Sequence, residues 1–333
     1  VTAAATMILV EECVLRLDDP IDGFLPELAN RQVLKALNGP LNDTVPAHRP
    51  ITVRDLLTFT PGFGLLPADP RDYPVLAAAK ERGVVLIPPS PKNHLGSDEW
   101  MAQFGTLPLM HQPGEQWMYG TGSALLGVLI SRAAGQSFAS FLQERIFDPL
   151  GMKDTGFVVP TGKLNRLPSA YWTNRADGSL SFADGPADSE WGQPPPFEDG
   201  AAGLVSTIDD YHAFGKMMLG KGALGNERVL SRPSVKLMMS DQLTPDQKAA
   251  SVSGVINLDR ESWGFGGSVV TRRDHVAFSV GTFGWFGGNG TAWYADPTEE
   301  MTTMLMTQAA MTSPHAPNLF LDFWTSAYRA LDD

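Results

Sequence analysis

The chain has 333 residues, of which 43% are hydrophobic and 19% are charged, an ordinary composition for a globular protein that buries a sizeable core. Its 25 basic and 37 acidic side chains give a formal net charge of −12, which disfavours nucleic acid as a partner because the surface would repel phosphate. No apolar run approaches about 18 residues, so the sequence predicts no membrane span and no membrane partner.

The first segment of the chain predicts a helix. Its apolar residues recur at helical spacing: Ala3, Ala4, Met7, Ile8, Val10 and Val14. No N-cap residue precedes this pattern, so we expect the helix to begin upstream of Val1. Residues 17–20 (LDDP) end it, because proline cannot continue a helix. The single cysteine, Cys13, falls within this helix and is expected to be a small buried residue.

The middle of the chain predicts short helices and long loops. Helical periodicity gives three segments: 52–58, 125–133 and 138–145. Residues 67–93 and 160–200 are rich in Pro, Gly and Asp, and loops of that length usually form the walls or lids of functional sites. After them, Ser206 is predicted to cap a further helix, with Asp209 at its N3 position.

The last seventy residues predict an antiparallel sheet with a terminal helix. Short β-type runs follow one another closely, as in a meander: 263–271, 275–280, 291–295 and 301–307. Residues 281–291 hold five glycines in eleven positions and predict a bulge or wide turn between two strands. Residues 318–331 carry an apolar helical face of Leu319, Phe320, Phe323, Ala327 and Ala330, suited to packing across the sheet. The predicted fold class is therefore α/β, of the α+β type.

Several kinds of reaction centre have no signal in the sequence. The six histidines are scattered, there is no HExxH pattern and there is no second cysteine, so no metal site is predicted. The phosphate-binding GxxxxGK[ST] loop is absent, no glycine cluster has a dinucleotide-binding context, and no cofactor is predicted. The GxSxG nucleophile elbow is absent too, which excludes the usual α/β-hydrolase arrangement.

Two glycine-rich stretches remain as candidates for chemistry. Residues 113–123 (PGEQWMYGTGS) place the Tyr119 hydroxyl at a glycine turn that leads into a helix, although residue type alone favours a half-buried core tyrosine. Residues 281–291 (GTFGWFGGNGT) form either a plain turn or a place where a substrate approaches the main chain, whose N–H groups would then bind an oxyanion.

Six blocks, in this order, cover nearly the whole chain: TAAATMILVEECVLRLDDPI, ITVRDLLTFTPGFG, PGEQWMYGTGSALLGVLISRAAG, IFDPLGMKDTGF, GAAGLVSTIDDYHAFGKMML and FGWFGGNGTAWYADP. Together they resemble the serine β-lactamase and penicillin-binding-protein superfamily, in particular class C β-lactamases and family VIII carboxylesterases. The resemblance implies a β-lactamase/transpeptidase-like fold, in which an antiparallel sheet flanked by helices accompanies a mostly helical, loop-rich domain. We expect residues 1–60 and 201–333 to form the sheet domain and residues 61–200 the helical one.

The resemblance also implies where the nucleophile stands. The family carries Ser-x-x-Lys at the start of this first helix, because one turn of helix brings the lysine ammonium beside the serine hydroxyl. By this match the serine would lie about five residues before Val1. No serine of the 333 residues has a lysine three positions later. We expect the pair to lie upstream of Val1; the alternative is a protein that has lost it.

Tyr119 matches the tyrosine of the family's Tyr-x-Asn motif. The resemblance implies that its hydroxyl helps the lysine to move protons between the serine and the leaving group. Thr121 stands where β-lactamases have asparagine, a departure that is closer to the esterase branch.

Trp285, Phe286 and Gly287 align with the third motif, which is Lys-Thr-Gly in β-lactamases and Trp-x-Gly in family VIII esterases. Tryptophan in place of lysine removes the cation expected to hold a β-lactam carboxylate. Gly288 aligns with the residue that donates one oxyanion N–H, and the missing serine would donate the other. Trp285, Phe286, Gly287 and Thr121 are therefore predicted to contact the substrate.

Aromatic residues of the long loop, among them Trp191 and Phe197, are predicted to wall an acyl pocket, although such residues equally often anchor a loop. The sequence thus predicts a serine hydrolase acting through an acyl-enzyme on short-chain or aryl esters, with weak β-lactamase activity beside it. Two alternatives stay open: a class C-like β-lactamase or D-amino-acid peptidase, and a catalytically inactive binding protein on this fold. The predicted partner is a small-molecule ester or β-lactam.

Overall fold

A computed structural model describes residues 1–332 except 67–71, 86–90, 92–94 and 252–253. In this part of the chain the helices are α1 (Thr2–Glu11), α2 (Val53–Leu57), α3 (Pro74–Glu81), α4 (Ser97–Gly105), α5 (Thr121–Ala134), α6 (Phe138–Leu142), α7 (Asp148–Leu150), α8 (Ile208–Leu219), α9 (Arg232–Met238), α10 (Pro245–Ala250) and α11 (Asn318–Arg329). Shorter helical turns are Pro26–Leu28, the π-helical Gln143–Phe147, Thr161–Arg166 and Glu190–Gly192.

The strands of the described residues form one five-stranded sheet and three two-stranded ribbons. They are β1 (Gln32–Leu34), β2 (Thr44–Pro46), β3 (Ala170–Thr173), β4 (Leu180–Asp184), β5 (Ala223–Leu224), β6 (Glu227–Arg228), β7 (Glu261–Trp263), β8 (Ser268–Val270), β9 (Phe283–Gly287), β10 (Thr291–Asp296) and β11 (Met301–Met306). The large sheet is antiparallel with the order β11-β10-β9-β8-β7, so sequence neighbours pair throughout, as the close spacing of the predicted runs requires.

The chain divides into two compact units. The first comprises Val1–Leu142, Pro195–Gly203 and Gln242–Ser253, and the second comprises Gln143–Pro194, Leu204–Asp241 and Gly254–Asp333. This division differs from the predicted boundaries, because residues 1–60 cluster with the helical segment that follows them. Packing explains the difference: α1 and α2 both contact α5, and Arg132 of α5 forms a 2.8 Å ion pair with Glu27.

Helix α5 is the centre of the first unit, and α1, α2 and α6 pack on it. A glycine pair lets the 195–203 segment approach α5 closely: a Cβ on Gly200 would lie 2.3 Å from the Ser123 carbonyl oxygen, and one on Gly127 would lie 3.1 Å from the Gly200 nitrogen. The Thr2 hydroxyl then donates a 2.6 Å hydrogen bond to the Gly200 carbonyl. The beginnings of α1 and α5 are therefore held to one loop.

The five-stranded sheet is the centre of the second unit, with a helix on each face. On one face Trp293 of β10 lies 5.7 Å from Phe214 of α8, measured between ring centroids. On the other face Tyr294 packs 5.2 Å from Trp324 of α11. Because successive residues of a strand point to opposite faces, α8 and α11 sandwich the sheet. The buried residues of α11 are Phe320, Trp324 and Tyr328, a spacing of four, while the predicted Leu319 is 58% exposed.

Two predicted strand runs have a different structure. Residues 263–271 contain the last residue of β7, a turn and β8 in place of one strand, and 275–280 contain no strand. In this second run Phe278 has φ 65°, a left-handed conformation that ends extended structure, and its ring packs 4.9 Å from Trp324. The backbone N–H of Ser279 donates to the buried Asp296 carboxylate at 2.9 Å. Conversely, the glycine-rich stretch 281–291, predicted as a turn, contains strand β9.

Some predicted helix ends and loops also need correction. Helix α1 ends at Glu11, and Cys13, predicted to be buried within it, is exposed with φ 60°. Thr207, rather than Ser206, caps α8 by accepting a hydrogen bond from the N3 residue Asp210. The Ser206 hydroxyl instead bonds the Thr155 hydroxyl at 2.7 Å.

The two predicted long loops both contain regular structure. The first holds α3, although residues 67–71, 86–90 and 92–93 of that prediction lie outside the described residues. The second holds the β3–β4 hairpin. Among the described residues no single helix is long and apolar enough to cross a membrane. One bent pair of helices, which begins with Thr121–Ala134, has the required length and composition.

Candidate active site

The predicted site residues are divided between the two units. Tyr119, Thr121 and Phe197 belong to the first unit, and Trp191, Trp285, Phe286, Gly287 and Gly288 belong to the second. Within the first unit Tyr119 and Thr121 flank one glycine, whereas Phe197 has different ring neighbours. Within the second unit residues 285–288 form one continuous stretch, and Trp191 lies on a separate helical turn.

The main chain around Tyr119 is hydrogen-bonded on both sides. The N–H of Met118 donates to the Phe59 carbonyl at 2.7 Å, and the N–H of Leu65 donates to the Tyr119 carbonyl at 2.8 Å. Gly64 makes this approach feasible, because a Cβ there would lie 2.7 Å from the Met118 Cβ. The conformationally permissive PGFG segment therefore runs directly alongside the tyrosine.

Two aromatic rings hold the Tyr119 ring, which is half-buried. Phe59 meets it edge-on at 5.9 Å, and Trp117 lies at 6.0 Å with an interplanar angle of 38°. Phe59 adopts φ 59°, a left-handed conformation that costs an L-residue about 1–2 kcal/mol. Its buried ring contacts offset this cost, so Phe59 belongs to the packing around Tyr119, which the sequence did not predict.

The turn after Tyr119 requires glycine and begins a buried helix. Gly120 has φ 102° and ψ −56°, a region closed to residues with a Cβ, and it forms the N-cap of α5. Thr121 follows as the half-buried first residue of that helix. A Cβ on Gly122 would lie 2.4 Å from the Leu56 carbonyl oxygen, so α2 touches the first turn of α5.

Helix α2 packs against the residues around Tyr119, and α10 together with the residue after it is hydrogen-bonded to residues 114–117. Thr52 and Asp55 form a reciprocal capping box at the start of α2, and Arg49 pairs with the buried Asp55 carboxylate at 2.5 Å. The Trp117 N–H donates to the Ser251 hydroxyl at 2.8 Å, and the Gln247 side-chain amide donates to the Gly114 carbonyl at 2.9 Å. The two contacts made by Gln247 and Ser251 join residues more than 130 positions apart, and neither has a local signal in the sequence.

Phe197, predicted to wall an acyl pocket, is 4% exposed and packs 5.2 Å from Trp100. This burial gives the side chain a packing role, and its contact with a substrate stays a prediction. In the same loop burial raises the pKa of Asp199 to about 6, despite a 2.8 Å hydrogen bond that its carboxylate accepts from the Ala201 N–H. The Asp199 carboxyl therefore changes charge close to neutral pH, unlike an ordinary aspartate.

In the second unit Trp285 lies on β9, opposite Trp293 of β10. Its ring meets the Trp263 ring edge-on at 4.9 Å and stacks on Phe286 at 4.9 Å with an interplanar angle of 15°. Phe286 in turn lies 6.4 Å from Phe320 and packs with the buried cluster beneath α11. Trp285, which the sequence resemblance aligns with the β-lactamase lysine, is thus part of an aromatic group, and Phe286 connects that group to the core.

The turn from β9 to β10 exposes main chain. Gly288 is exposed, and a Cβ on it would have no heavy atom within 4 Å. The Gly287 carbonyl accepts a 3.0 Å hydrogen bond from the Gly290 N–H, and because a trans peptide points its N–H opposite to its C=O, the Gly288 N–H points out of the turn. This N–H has no acceptor among the described residues, so it is available to a ligand.

Trp191 occupies the Glu190–Gly192 turn, which follows the β3–β4 hairpin. The Ser189 hydroxyl accepts the Trp191 N–H at 3.1 Å and donates to the Asp184 carboxylate at 2.7 Å. The Trp191 carbonyl accepts the Val159 N–H at 2.8 Å. These bonds fix the main chain of the half-buried Trp191, and its predicted substrate contact stays a prediction.

No group of three or more His, Cys, Asp or Glu side chains in the described part of the chain could hold a metal ion. The two units instead offer a positioned phenol and an available peptide N–H. A phenol suits proton transfer, and a peptide N–H suits the binding of a developing oxyanion.

Comparisons with known proteins agree on one family. The Beta-lactamase family model matches residues 1–321. Protein Rv1367c of Mycobacterium tuberculosis is 37% identical over 331 residues, an alignment that covers 97% of this chain and 77% of that protein. Lovastatin esterase of Penicillium rubens is 28% identical over 327 residues, covering 93% and 77% respectively. Among solved structures EstCE1, described as a hydrolase with promiscuous acyltransferase activity, gives a TM-score of 0.78 at 20% identity and covers 98% of this chain and 82% of its own. This last likeness shows a shared fold.

Proposed function

Because this chain belongs to the Beta-lactamase family, whose members are serine hydrolases, we propose that it hydrolyses short-chain or aryl esters through an acyl-enzyme. Membership confirms the family resemblance and the fold class drawn from the sequence. Relatives of this chain include esterases, acyltransferases and putative carboxypeptidases, so hydrolase chemistry is common to the group and the ester substrate is the specific proposal.

The observation that carries the ester assignment is Trp285. Its ring is packed edge-on against Trp263 and stacked on Phe286, and the sequence resemblance aligns this aromatic residue with the lysine of β-lactamases. A β-lactam carboxylate gains a charge-assisted hydrogen bond from such a cation, and an aromatic ring offers none. A neutral ester has no carboxylate to bind, and its acyl or aryl group packs favourably on aromatic rings.

The proposed reaction has two steps. A serine from a Ser-x-x-Lys segment upstream of Val1 attacks the ester carbonyl carbon, and its proton passes to the lysine. The Tyr119 hydroxyl relays that proton to the alkoxide leaving group as the ester C–O bond breaks. Water then attacks the acyl-enzyme by the same route in reverse, which releases the acid and restores the serine.

Gly288 stabilises the oxyanion in this proposed reaction. Negative charge develops on the carbonyl oxygen as each tetrahedral intermediate forms, and the Gly288 N–H donates a hydrogen bond to it together with the N–H of the serine. A donor held by the fold before the substrate arrives needs no reorganisation during the reaction, which is why a rigid glycine turn suits this role.

Labelling of the full-length protein tests the proposal directly. We expect a fluorophosphonate to modify one serine stoichiometrically, and peptide mass spectrometry to locate that serine in a Ser-x-x-Lys sequence N-terminal to Val1. The same preparation should hydrolyse 4-nitrophenyl butyrate faster than nitrocefin. A protein that takes no label and cleaves no ester would support the alternative of a catalytically inactive binding protein. Hydrolysis of nitrocefin faster than of 4-nitrophenyl butyrate would support a β-lactamase.

A further inference from the structure

A short segment after β11, residues 307–311, runs along the glycine turn of the second unit. The Thr307 N–H and hydroxyl both donate to the Gly290 carbonyl, at 2.9 and 2.8 Å. The Met311 N–H donates to the Gly288 carbonyl at 2.8 Å. Residues 307–311, here named the strap, therefore hold two peptides of the turn by hydrogen bonds.

The strap is itself fixed by strand β3. The Tyr171 N–H donates to the Gln308 carbonyl at 2.8 Å, and the Ala310 N–H donates to the Tyr171 carbonyl at 2.9 Å. Ala310 and Met311 are adjacent, so two consecutive N–H groups bond β3 and the glycine turn respectively. The strap thus bridges the turn to a second element of the same unit.

Contact between the strap and the turn leaves no space for a side chain. Gly290 has φ 85°, and a Cβ on it would lie 2.2 Å from the Ala309 carbonyl oxygen and 2.3 Å from the Thr307 hydroxyl oxygen. The Thr307 hydroxyl therefore fills the space beside Gly290 as well as bonding its carbonyl. Removing that hydroxyl takes away one of the two hydrogen bonds that Thr307 donates to the Gly290 carbonyl, and so weakens the hold on Gly290.

Gly290 determines the direction of the available N–H. Its own N–H holds the Gly287 carbonyl at 3.0 Å, and this carbonyl belongs to the same planar peptide as the Gly288 N–H. A rotation of that peptide turns the carbonyl and the N–H together. The interactions therefore run from Thr307 to Gly290, from Gly290 to the Gly287 carbonyl, and so to the Gly288 N–H.

We propose that the strap is a positioning element for the oxyanion-binding N–H of Gly288, with Thr307 as its positioning residue. The inference rests on the proposed function, because it assumes that Gly288 binds the oxyanion. Thr307 acts through Gly290 and does not itself contact the substrate. Small displacements of a catalytic donor lower the rate while substrate binding is retained, since the donor is used in the transition state.

Thr307→Val in the full-length protein removes the hydroxyl and preserves the β-branched shape and the backbone N–H. We expect kcat for 4-nitrophenyl butyrate to fall about tenfold, with KM within about twofold of wild type. The inhibition constant of phenylboronic acid, whose serine adduct places an oxygen at the oxyanion position, should rise by the factor by which kcat/KM falls. Thr307→Ser restores the hydroxyl and should recover most of kcat.

Thr303 supplies a matched control four residues earlier in the same unit. It lies on β11, is 6% exposed, and its hydroxyl has no hydrogen-bond partner among the described residues. Thr303→Val makes the same chemical change and should leave kcat within about twofold of wild type. Thermal denaturation of each variant verifies folding, and Thr307→Ala takes the place of Thr307→Val if the valine variant is unfolded.

The outcomes separate the two proposals. Wild-type kcat in folded Thr307→Val, or equal losses in Thr307→Val and Thr303→Val, would overturn the positioning role while ester hydrolysis by the wild type still stands. Loss in Thr307→Val that serine does not rescue, or that leaves the phenylboronic acid constant unchanged, would also overturn it. A wild-type protein without ester turnover would instead reject the proposed function, and the strap proposal would fall with it.

Discussion

The two regions that carry the predicted chemistry are held in different ways. Tyr119 presents a side chain, and its ring is fixed by the rings of Phe59 and Trp117. Gly288 presents main chain, and its turn is fixed by hydrogen bonds from Thr307 and Met311 while it stays exposed. A side chain is oriented by packing, which needs neighbours on several sides. A peptide N–H is oriented by hydrogen bonds to carbonyl groups of the same turn, and these bonds leave the N–H itself open to a ligand.

This difference predicts how each region fails. Changes that remove one of the rings around Tyr119 alter packing in the first unit, so losses of stability and of activity should come together. Changes at Gly288 meet open space, so activity should fall alone.

Gly288→Val should lower kcat for an activated ester by about a hundred- to a thousandfold, the cost of losing one oxyanion donor. The added side chain would lie where nothing stands within 4 Å, and the melting temperature should stay near that of wild type. Gly162→Val is the matched control, because its Cβ also has no atom within 4 Å and Gly162 lies outside the proposed active site. Equal activity of Gly288→Val and wild type would show that the oxyanion is bound elsewhere.

Tyr119→Phe should lower kcat by about a hundredfold, the scale of lost general acid–base catalysis, with KM little changed. The ring contacts with Phe59 and Trp117 remain, so thermal denaturation should show a folded protein. Tyr73→Phe, which removes a hydroxyl at the N-cap of α3, should leave kcat unchanged. Normal turnover in folded Tyr119→Phe would remove the phenol from the mechanism and leave the ring a packing role.

Asp296→Asn should lower the free energy of unfolding by about 2 kcal/mol at pH 7 without changing kcat. The buried carboxylate accepts hydrogen bonds from the Tyr328 hydroxyl at 2.6 Å and from the N–H groups of Ser279 and Thr298, both at 2.9 Å. An asparagine presents an NH₂ group to some of these donors. Urea denaturation followed by tryptophan fluorescence would measure the loss, and a parallel fall in kcat would show that stability and activity are not separate in this unit.

The same carboxylate predicts a pH dependence. Burial would raise the pKa of Asp296, but the hydrogen bonds from Tyr328 and from backbone N–H groups outweigh it, and the pKa is lowered. A carboxyl whose pKa is lower in the folded state stabilises the fold above its unfolded pKa of about 3.9 and loses that contribution as pH falls through the folded value. The stability gap between wild type and Asp296→Asn should therefore narrow below about pH 4. A constant gap down to acid pH would contradict this reasoning.

Trp285→Lys should raise the ratio of nitrocefin to ester hydrolysis by about five- to tenfold, the worth of one charge-assisted hydrogen bond near the surface. Neither activity should be abolished, because the proposed Tyr119 and Gly288 groups remain. Trp285→Phe keeps an aromatic ring on Trp263 and should leave the ratio unchanged. An unchanged ratio in the lysine variant would show that this position does not select between lactam and ester.

Local pattern predicted those parts of the fold in which each segment's own residues determine its conformation. Helix α5, strands β10 and β11, and α11 follow from periodicity over a few residues. Strand β9 was not predicted, because the glycines in and beside it are typical of a turn. Its pairing with β10 makes it a strand. The absence of a strand at 275–280 depends on the left-handed Phe278, whose ring contacts with α11 are distant in sequence.

The site divides in the same manner. Tyr119 and residues 285–288 were chosen as candidates because each belongs to a short sequence motif, which can be recognised without knowing the fold. The roles given to them stay predictions. Phe59 and the proposed positioning residue Thr307 were not found, because their contacts with Tyr119 and Gly290 join residues that are distant in the sequence. The glycines that they contact, Gly122 and Gly290, do give a signal, since glycine marks places where neighbouring groups approach the backbone closely.

Gly122 carries a consequence for how this sequence can change over generations. The obstacle to a Cβ at that position is the Leu56 carbonyl oxygen at 2.4 Å, a main-chain atom that no substitution at position 56 removes. The nearby Phe59 ring atom at 2.8 Å is different, because a smaller residue at position 59 would clear it. Position 122 therefore has no compensating partner and should stay glycine along any viable mutational path. A smaller residue at position 59 would clear only its own contact with that Cβ, and it would remove one of the two rings that hold Tyr119.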